Sequence, residues 1–262
     1  MNRNTIMTSK FKWQVLLVWL ALMIGFVWFI AKFDLDMSYV WEKLPYLTGL
    51  HLSPDGFIQG VPLTIYVCVL AMLASVLLGL LAALGRLSLN PLAYGISTFY
   101  TSFFRGTPLL LQVLLIYQGL PQIGPVPTAI PSGIIALALC YGAYLSEIFR
   151  SAIVVIDKGQ WEAAMALGLK KHQIFWKVIL PQSMKVAIPP SMAMFIAMLK
   201  DSSLVSVMGL WEIMFLAQSY GRSAYRYMEM LITAAVIYWI LSFILEMLQV
   251  RLEKIFHGGK TR

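Results

Sequence analysis

Charge is what this sequence has little of. Only 12% of its 262 residues are Asp, Glu, Lys or Arg, about half of the ~25% found in a soluble globular domain. Cysteine is almost absent: Cys68 and Cys140 both sit inside apolar runs, which excludes a disulfide framework and marks them as small packing residues. The histidines, His51, His172 and His257, are scattered over separate segments and form no metal-ligand spacing. Enzyme signatures are missing as well, with no H-E-x-x-H, no G-x-S-x-G and no G-x-x-x-x-G-K-[ST]. The closing HGGKTR offers Gly259, Lys260 and Thr261, but Lys254 stands where a phosphate-binding loop needs its first glycine. That end reads as a basic, solvated tail.

Apolar residues fill the space that charge leaves. They make up 60% of the chain, and the mean hydropathy is +0.77. Uncharged runs long enough to cross a bilayer recur, without the alternation of a barrel strand, so the fold class is all-α, a polytopic membrane bundle. Six spans are expected, over residues 13–31, 61–85, 106–120, 130–156, 185–208 and 229–250. The stretch from Asn90 to Phe104 reads as an interfacial helix that feeds the short third span through Arg105 and Gly106. Residues 1–59 form an N-terminal anchor helix and an external segment, 60–250 the transmembrane bundle, and 251–262 a basic inner tail. Tyr39, Trp41 and Tyr46 suit the outer interface, and Glu229 and Glu246 are expected to reach an interface from span ends.

A net charge of +8 raises the question of nucleic acid, but the positives flank apolar spans instead of forming a stripe. No nucleic-acid partner is expected. With the N-terminus inside, the inner segments hold Arg3, Lys10, Lys12, Arg86, Arg105, Arg150, Lys158, Lys170, Lys171, Lys177, Lys185, Arg251, Lys254, Lys260 and Arg262. The outer segments hold Lys32, Lys43, Arg222 and Arg226. Positive charge collects on the cytoplasmic side, so both termini belong there. Lys10 and Lys12 before an apolar run resemble a signal peptide, yet no small-x-small site precedes KFDLDMS, and the first span is expected to be retained.

One segment does not match its greasy surroundings. Between Asp157 and Lys185 the chain is mixed and charged. Gln160 to Leu167 is rich in helix formers, Gly168 sits where a C-terminal cap belongs, and a second helical stretch starts near His172 and is expected to end at Pro181. The outcome is a short helix–turn–helix under the bilayer, with Ala163 and Ala164 leaving a flat face beside Glu162. Such a face suits either docking of another surface or packing beneath the bundle itself.

The spacing Glu162-Ala163-Ala164, Gly168, Val178 and Leu180-Pro181 resembles the coupling-loop signature of ATP-binding-cassette importer permeases, with Val178 where the family usually has isoleucine. FFRGTPLLLQVLLIYQGLP (103–121), YGAYLSEIFRSAI (141–153), GQWEAA (159–164) and LKDSSLVSVMG (199–209) resemble the polar amino-acid permease branch. The likeness runs from about Gly60 to Val250 and implies a type I importer core of five helices, to which the first span is an addition. It also implies that Gln160, Glu162, Ala163, Ala164, Gly168, Leu180 and Pro181 couple to a cytoplasmic ATPase. Two such ATP-binding subunits, a second permease subunit, an extracytoplasmic solute-binding protein and membrane lipid are the implied partners. The implied location is the bacterial inner membrane. The chain itself binds no cofactor on this reading, and ATP with Mg2+ is used by the partner.

Ionisable groups within spans point to a pathway because they are costly in lipid. Tyr141, Tyr144, Glu147 and Ser151 recur at three- and four-residue spacing and share a helix face; Arg150 is placed to pair with Glu147. Lys200, Asp201, Ser202 and Ser203 interrupt the fifth span, and Pro189-Pro190 are expected to break its start. Gln112 offers an amide either to a zwitterionic solute or to a neighbouring helix. The candidate substrate pathway is therefore Gln112, Tyr144, Glu147, Lys200, Asp201, Ser202 and Ser203. The competing readings are an ion-coupled carrier using Glu147 or Asp201, a permease for another small polar solute, and a membrane protein of assembly or signalling.

Overall fold

The computed structural model describes residues 9–33 and 35–257. Arg3, Lys260, Arg262 and the end of the expected basic tail, 258–262, lie outside the described residues. Among the described residues every regular element is helical.

The first helix, α1 (Ser9–Ala31), is apolar on all sides, and no residue of its span Trp13–Ala31 is buried by the rest of the chain. A helix of this kind rests in lipid and needs no amphipathic stripe. After it α2 (Met37–Thr48) lies at the outer end. Asp36 caps it by accepting from the Tyr39 backbone N–H at 3.2 Å and also pairs with Arg226 at 3.3 Å. Tyr39 and Tyr46 turn inward, the first donating to the Tyr220 carbonyl at 2.9 Å and the second packing on the Tyr220 ring, so Trp41 alone of the three aromatics is exposed.

The core is built on α3 (Val61–Arg86) and α6 (Ala129–Val154), which form the closest helix pair in the molecule. Small residues allow it. A Cβ at Gly79 would stand 2.8 Å from the Leu145 Cβ and 3.0 Å from the Gly142 carbonyl, so the two backbones meet where glycine leaves room. Around them Leu63, Val67, Cys68, Val113, Leu137, Cys140, Met198 and Val205 make one buried apolar cluster. Both cysteines are buried and unbridged.

Between the core helices the third crossing departs from a straight span. Helix α4 (Pro91–Gly106) and the segment Leu109–Ile123, which opens as α5 (Leu109–Leu114), meet at a 107° bend. Pro108 disfavours helical backbone at Thr107, and the chain is extended there. The expected interfacial helix is thus one limb of a broken span.

The inner segment carries α7 (Lys158–Ala166) and α8 (Lys171–Ile174), followed by a wide turn at Phe175–Ile179 and by α9 (Leu180–Asp201). Two expectations fail here. Pro181 does not end the second inner helix: it occupies the first turn of α9, where its missing N–H costs nothing. The wide turn just before it, in which the Leu180 N–H reaches the Phe175 carbonyl, lets the helix run on. Nor do Pro189 and Pro190 break the fifth span: α9 passes through both.

Helix α10 (Ile213–Ser223) and α11 (Tyr227–His257) complete the bundle. Helix α11 continues to His257, so the inner segment from Arg251 begins as helix and not as a free tail. Glu229 does not reach an interface either. It is 7% exposed and pairs with Arg226 at 3.4 Å, because α2 packs across the end of α11 and covers it.

Candidate functional site: a docking knob and a polar internal face

The inner knob owes its shape to local sequence. The Asp157 carboxylate accepts from the Gly159 N–H at 2.6 Å and starts α7. Gly168 ends it at φ +79°, with its own N–H on the Met165 carbonyl at 2.9 Å and the Leu169 N–H on the Ala164 carbonyl at 3.2 Å. This pair of bonds is the Schellman cap, and the left-handed residue it needs is most often glycine. At the next start, the Gln173 side chain accepts from the Lys170 N–H at 3.0 Å.

Ala164, Ile153, Ile174 and Ile179 form a buried apolar cluster with Leu84, Ile156, Trp161 and Phe175 packed against it. The knob is therefore fastened beneath the inner ends of α3 and α6. Gln160 accepts from the Gln182 amide at 3.1 Å, which ties α7 to the first turn of α9. Leu180 is half-buried and Pro181 exposed. Glu162, Ala163 and Gly168 face water, whereas Ala164 is turned into the cluster and takes no part in the flat face. Met165, Leu167 and Trp176 add exposed apolar surface around Glu162. The sequence held that signal as large apolar residues in an otherwise water-facing element.

The internal polar face lies along α6. Glu147 bonds to Arg86 at the end of α3 and to Arg150 one turn along α6. A third guanidinium, Arg105 of α4, lies 3.7 Å from the same carboxylate and 5.4 Å above the Tyr144 ring. One turn outward, the Tyr141 hydroxyl donates to Asp201 at 2.7 Å, and the Tyr141 and Tyr144 rings are 6.1 Å apart. Tyr144, Lys200 and Asp201 are exposed within this single chain, and Ser203 is half-exposed.

Two of the candidate pathway residues face away from that surface. Gln112 is 3% exposed, and its amide donates to the Phe104 and Thr107 carbonyls at 2.9 and 3.1 Å, closing the backbone groups freed by the bend. Ser202 is 1% exposed and donates to the Leu199 carbonyl at 2.7 Å where α9 tightens into its last turns. Arg105 is the residue that sequence reasoning assigned to an inner loop and the structure brings to the polar face.

A bundle that keeps charge on an internal face, and holds a rigid knob in water beneath it, is built as a transport subunit that answers to another protein. The chain belongs to the family described as binding-protein-dependent transport system inner membrane component, which matches residues 75–256. It is 38% identical to the "Probable amino-acid permease protein YxeN" of Bacillus subtilis over 200 residues, 75% of this chain and 89% of that one. It is 39% identical to the L-cystine transport system permease protein TcyB of Bacillus subtilis over 223 residues, 84% of this chain and 89% of that one. A solved structure described as an amino acid ABC transporter with histidines superimposes with a TM-score of 0.73 at 35% identity, covering 83% of this chain and 97% of that one. The fold is the type I importer permease, multi-pass in the membrane.

Proposed function

We propose that this chain forms half of the translocation pathway of an ATP-driven amino-acid importer in a bacterial inner membrane. The observation that carries the reading is the knob. A nine-residue helix, capped at both ends, is fastened to the inner ends of α3 and α6 while Glu162 and Ala163 stay in water. A rigid, outward-turned element of this kind transmits a push from a partner to the helices above it. The partner is a cytoplasmic ATP-binding subunit, one under each of two permease subunits, and ATP with Mg2+ is bound and hydrolysed there. A solute-binding protein delivers cargo from outside, and lipid surrounds α1. The names of the relatives support amino-acid cargo.

Within the bundle, Tyr144, Glu147, Lys200, Asp201 and Ser203 serve the pathway, with Gln112 and Ser202 holding the backbone that presents them. Opposite charges on one internal face suit a zwitterion. Closure of the ATPase pair moves residues 157–181 and opens the face alternately to the two sides of the membrane.

Affinity purification of the tagged chain in mild detergent, with mass spectrometry of co-purifying proteins, tests the reading. An ATP-binding subunit in near-equal amount is expected, and Glu162→Lys is expected to lose it while the permease still folds. Repeated recovery of the intact chain without an ATPase would make an ion-coupled carrier the better account.

A further inference from the structure

Arg105 is the charge that the importer reading leaves without work. It stands in the last turn of α4, at the 107° bend. Its neighbours fix its depth. The Cys140 thiol contacts the Phe104 carbonyl at 3.9 Å, and the Tyr100 hydroxyl donates to the Leu139 carbonyl at 2.8 Å. Leu139 and Cys140 are the middle of the 26-residue α6, so the Arg105 backbone lies near half-depth in the bilayer. Its side chain is 41% exposed within this single chain. Its guanidinium reaches inward from there to the Glu147 carboxylate, which also bonds Arg86 at the inner end of α3, and a charge held between half-depth and the inner surface faces water or a protein partner and not hydrocarbon.

The charges around it do not balance. Arg86, Arg105 and Arg150 share the single carboxylate of Glu147. The two closer bonds go to Arg86 and Arg150, and the 3.7 Å contact to Arg105 is the loosest of the three. With one acid against three bases, the site has room for one more anion. Arginine presents parallel N–H donors that match a carboxylate in a bidentate pair, and the Tyr144 ring under it holds the guanidinium plane in place.

We propose that Arg105 binds the carboxylate of the amino-acid cargo in transit, exchanging its loose contact with Glu147 for a bidentate pair with the solute. Glu147 keeps Arg86 and Arg150 during the exchange, so no carboxylate is stranded. The inference rests on the amino-acid importer reading and names the chemical group that the pathway recognises. A lipid phosphate is the other anion at hand in a membrane, and the competition below separates the two, because a site that serves a phosphate does not discriminate an amino acid from its carboxamide.

The test uses the chain with its co-purified ATP-binding subunit in lipid nanodiscs, without the external binding protein, which would impose its own selection. Binding of each of the common amino acids, radiolabelled, identifies those the complex takes. Each of these is then competed with its carboxamide, which keeps the ammonium group and loses the carboxylate, and with its deaminated acid. On the unaltered complex the carboxamide is expected to compete about 10-fold or more worse than the amino acid, the size of a charge-assisted hydrogen bond. In Arg105→Gln that ratio is expected to fall below about 3-fold, with the deaminated acid discriminated as before, and Arg105→Lys to fall between. A carboxamide that competes equally on the unaltered complex overturns the inference without any variant. So does an Arg105→Gln complex that still discriminates tenfold. If no amino acid binds the unaltered complex although the ATP-binding subunit is present, the cargo reading fails and this inference with it. Absence of the ATP-binding subunit is a separate failure, of the importer reading itself.

Discussion

The Tyr238 hydroxyl donates to the Glu212 carboxylate at 2.8 Å, joining α11 to the residue that caps α10. Glu212 also accepts from the Met214 and Phe215 N–H groups at 2.8 and 2.7 Å, and only 1% of it is exposed. Burial pushes its carboxyl up to about 7 from the usual 4.5, and these three bonds only partly offset the effect. The folded protein therefore holds this proton more tightly than the unfolded chain does. Its contribution to stability is full below pH 4.5 and is lost as pH rises towards 7. Thermal melting in detergent should fall across that window for the unaltered chain and run flatter for Glu212→Gln. Parallel curves would show that Glu212 does not carry the dependence. Glu212→Ala should cost about 1–3 kcal/mol below pH 4.5, because two backbone donors and a buried hydroxyl lose their acceptor, and less as pH rises towards 7.

Gly168 holds φ +79° with open space where a side chain would go. Any effect of Gly168→Ala is then backbone strain, about 1–2 kcal/mol. Gly168→Asn should be milder, because asparagine tolerates the left-handed region. Co-purification of the ATP-binding subunit should drop for alanine and recover for asparagine. Equal loss in both variants would point to a direct contact at Gly168 and away from the cap.

Gly79 tests the close pair of α3 and α6. Its Cβ would fall 2.8 Å from a Cβ and 3.0 Å from a carbonyl, neither of which swings aside. Gly79→Ala should destabilise by about 1–3 kcal/mol, the cost of overpacking. Gly95→Ala, where nothing lies within 4 Å, is the control and should melt like the unaltered chain.

Tyr141 and Asp201 are expected to act as a unit. Tyr141→Phe and Asp201→Asn should each reduce transport, and the double variant should be no worse than the stronger single one, because their 2.7 Å bond is removed only once. Additive losses in uptake assays would mean that the two groups serve separate steps.

The crossings were legible because lipid demands long apolar runs, and residues 61–85 and 130–156 fall on helices Val61–Arg86 and Ala129–Val154 to within two residues. The cap at Gly168 was legible because left-handed backbone at a helix end favours glycine. Proline was harder to read. At Pro108 it marks a break, at Pro181 a beginning, and at Pro189 and Pro190 a helix passes through; the residue type alone does not distinguish the three. The Glu147–Arg150 pair followed from spacing, but Arg86 and Arg105 are 61 and 42 positions from Glu147 and meet it only through tertiary packing. Depth misled the reading of Arg105, because a charge count assigns every arginine to an aqueous edge.

Helix α1 lies beside α11 with none of its span buried, and its clearest effect is one of parity. Six crossings return the chain to the side it started from, and five do not. Take α1 away and α3, entering first, would have to place the opposite end of the chain across the membrane to keep the knob in the cytoplasm. The charges of the inner segments fix which way up the bundle lies, and α1 fixes only on which side of it the chain's first residues fall.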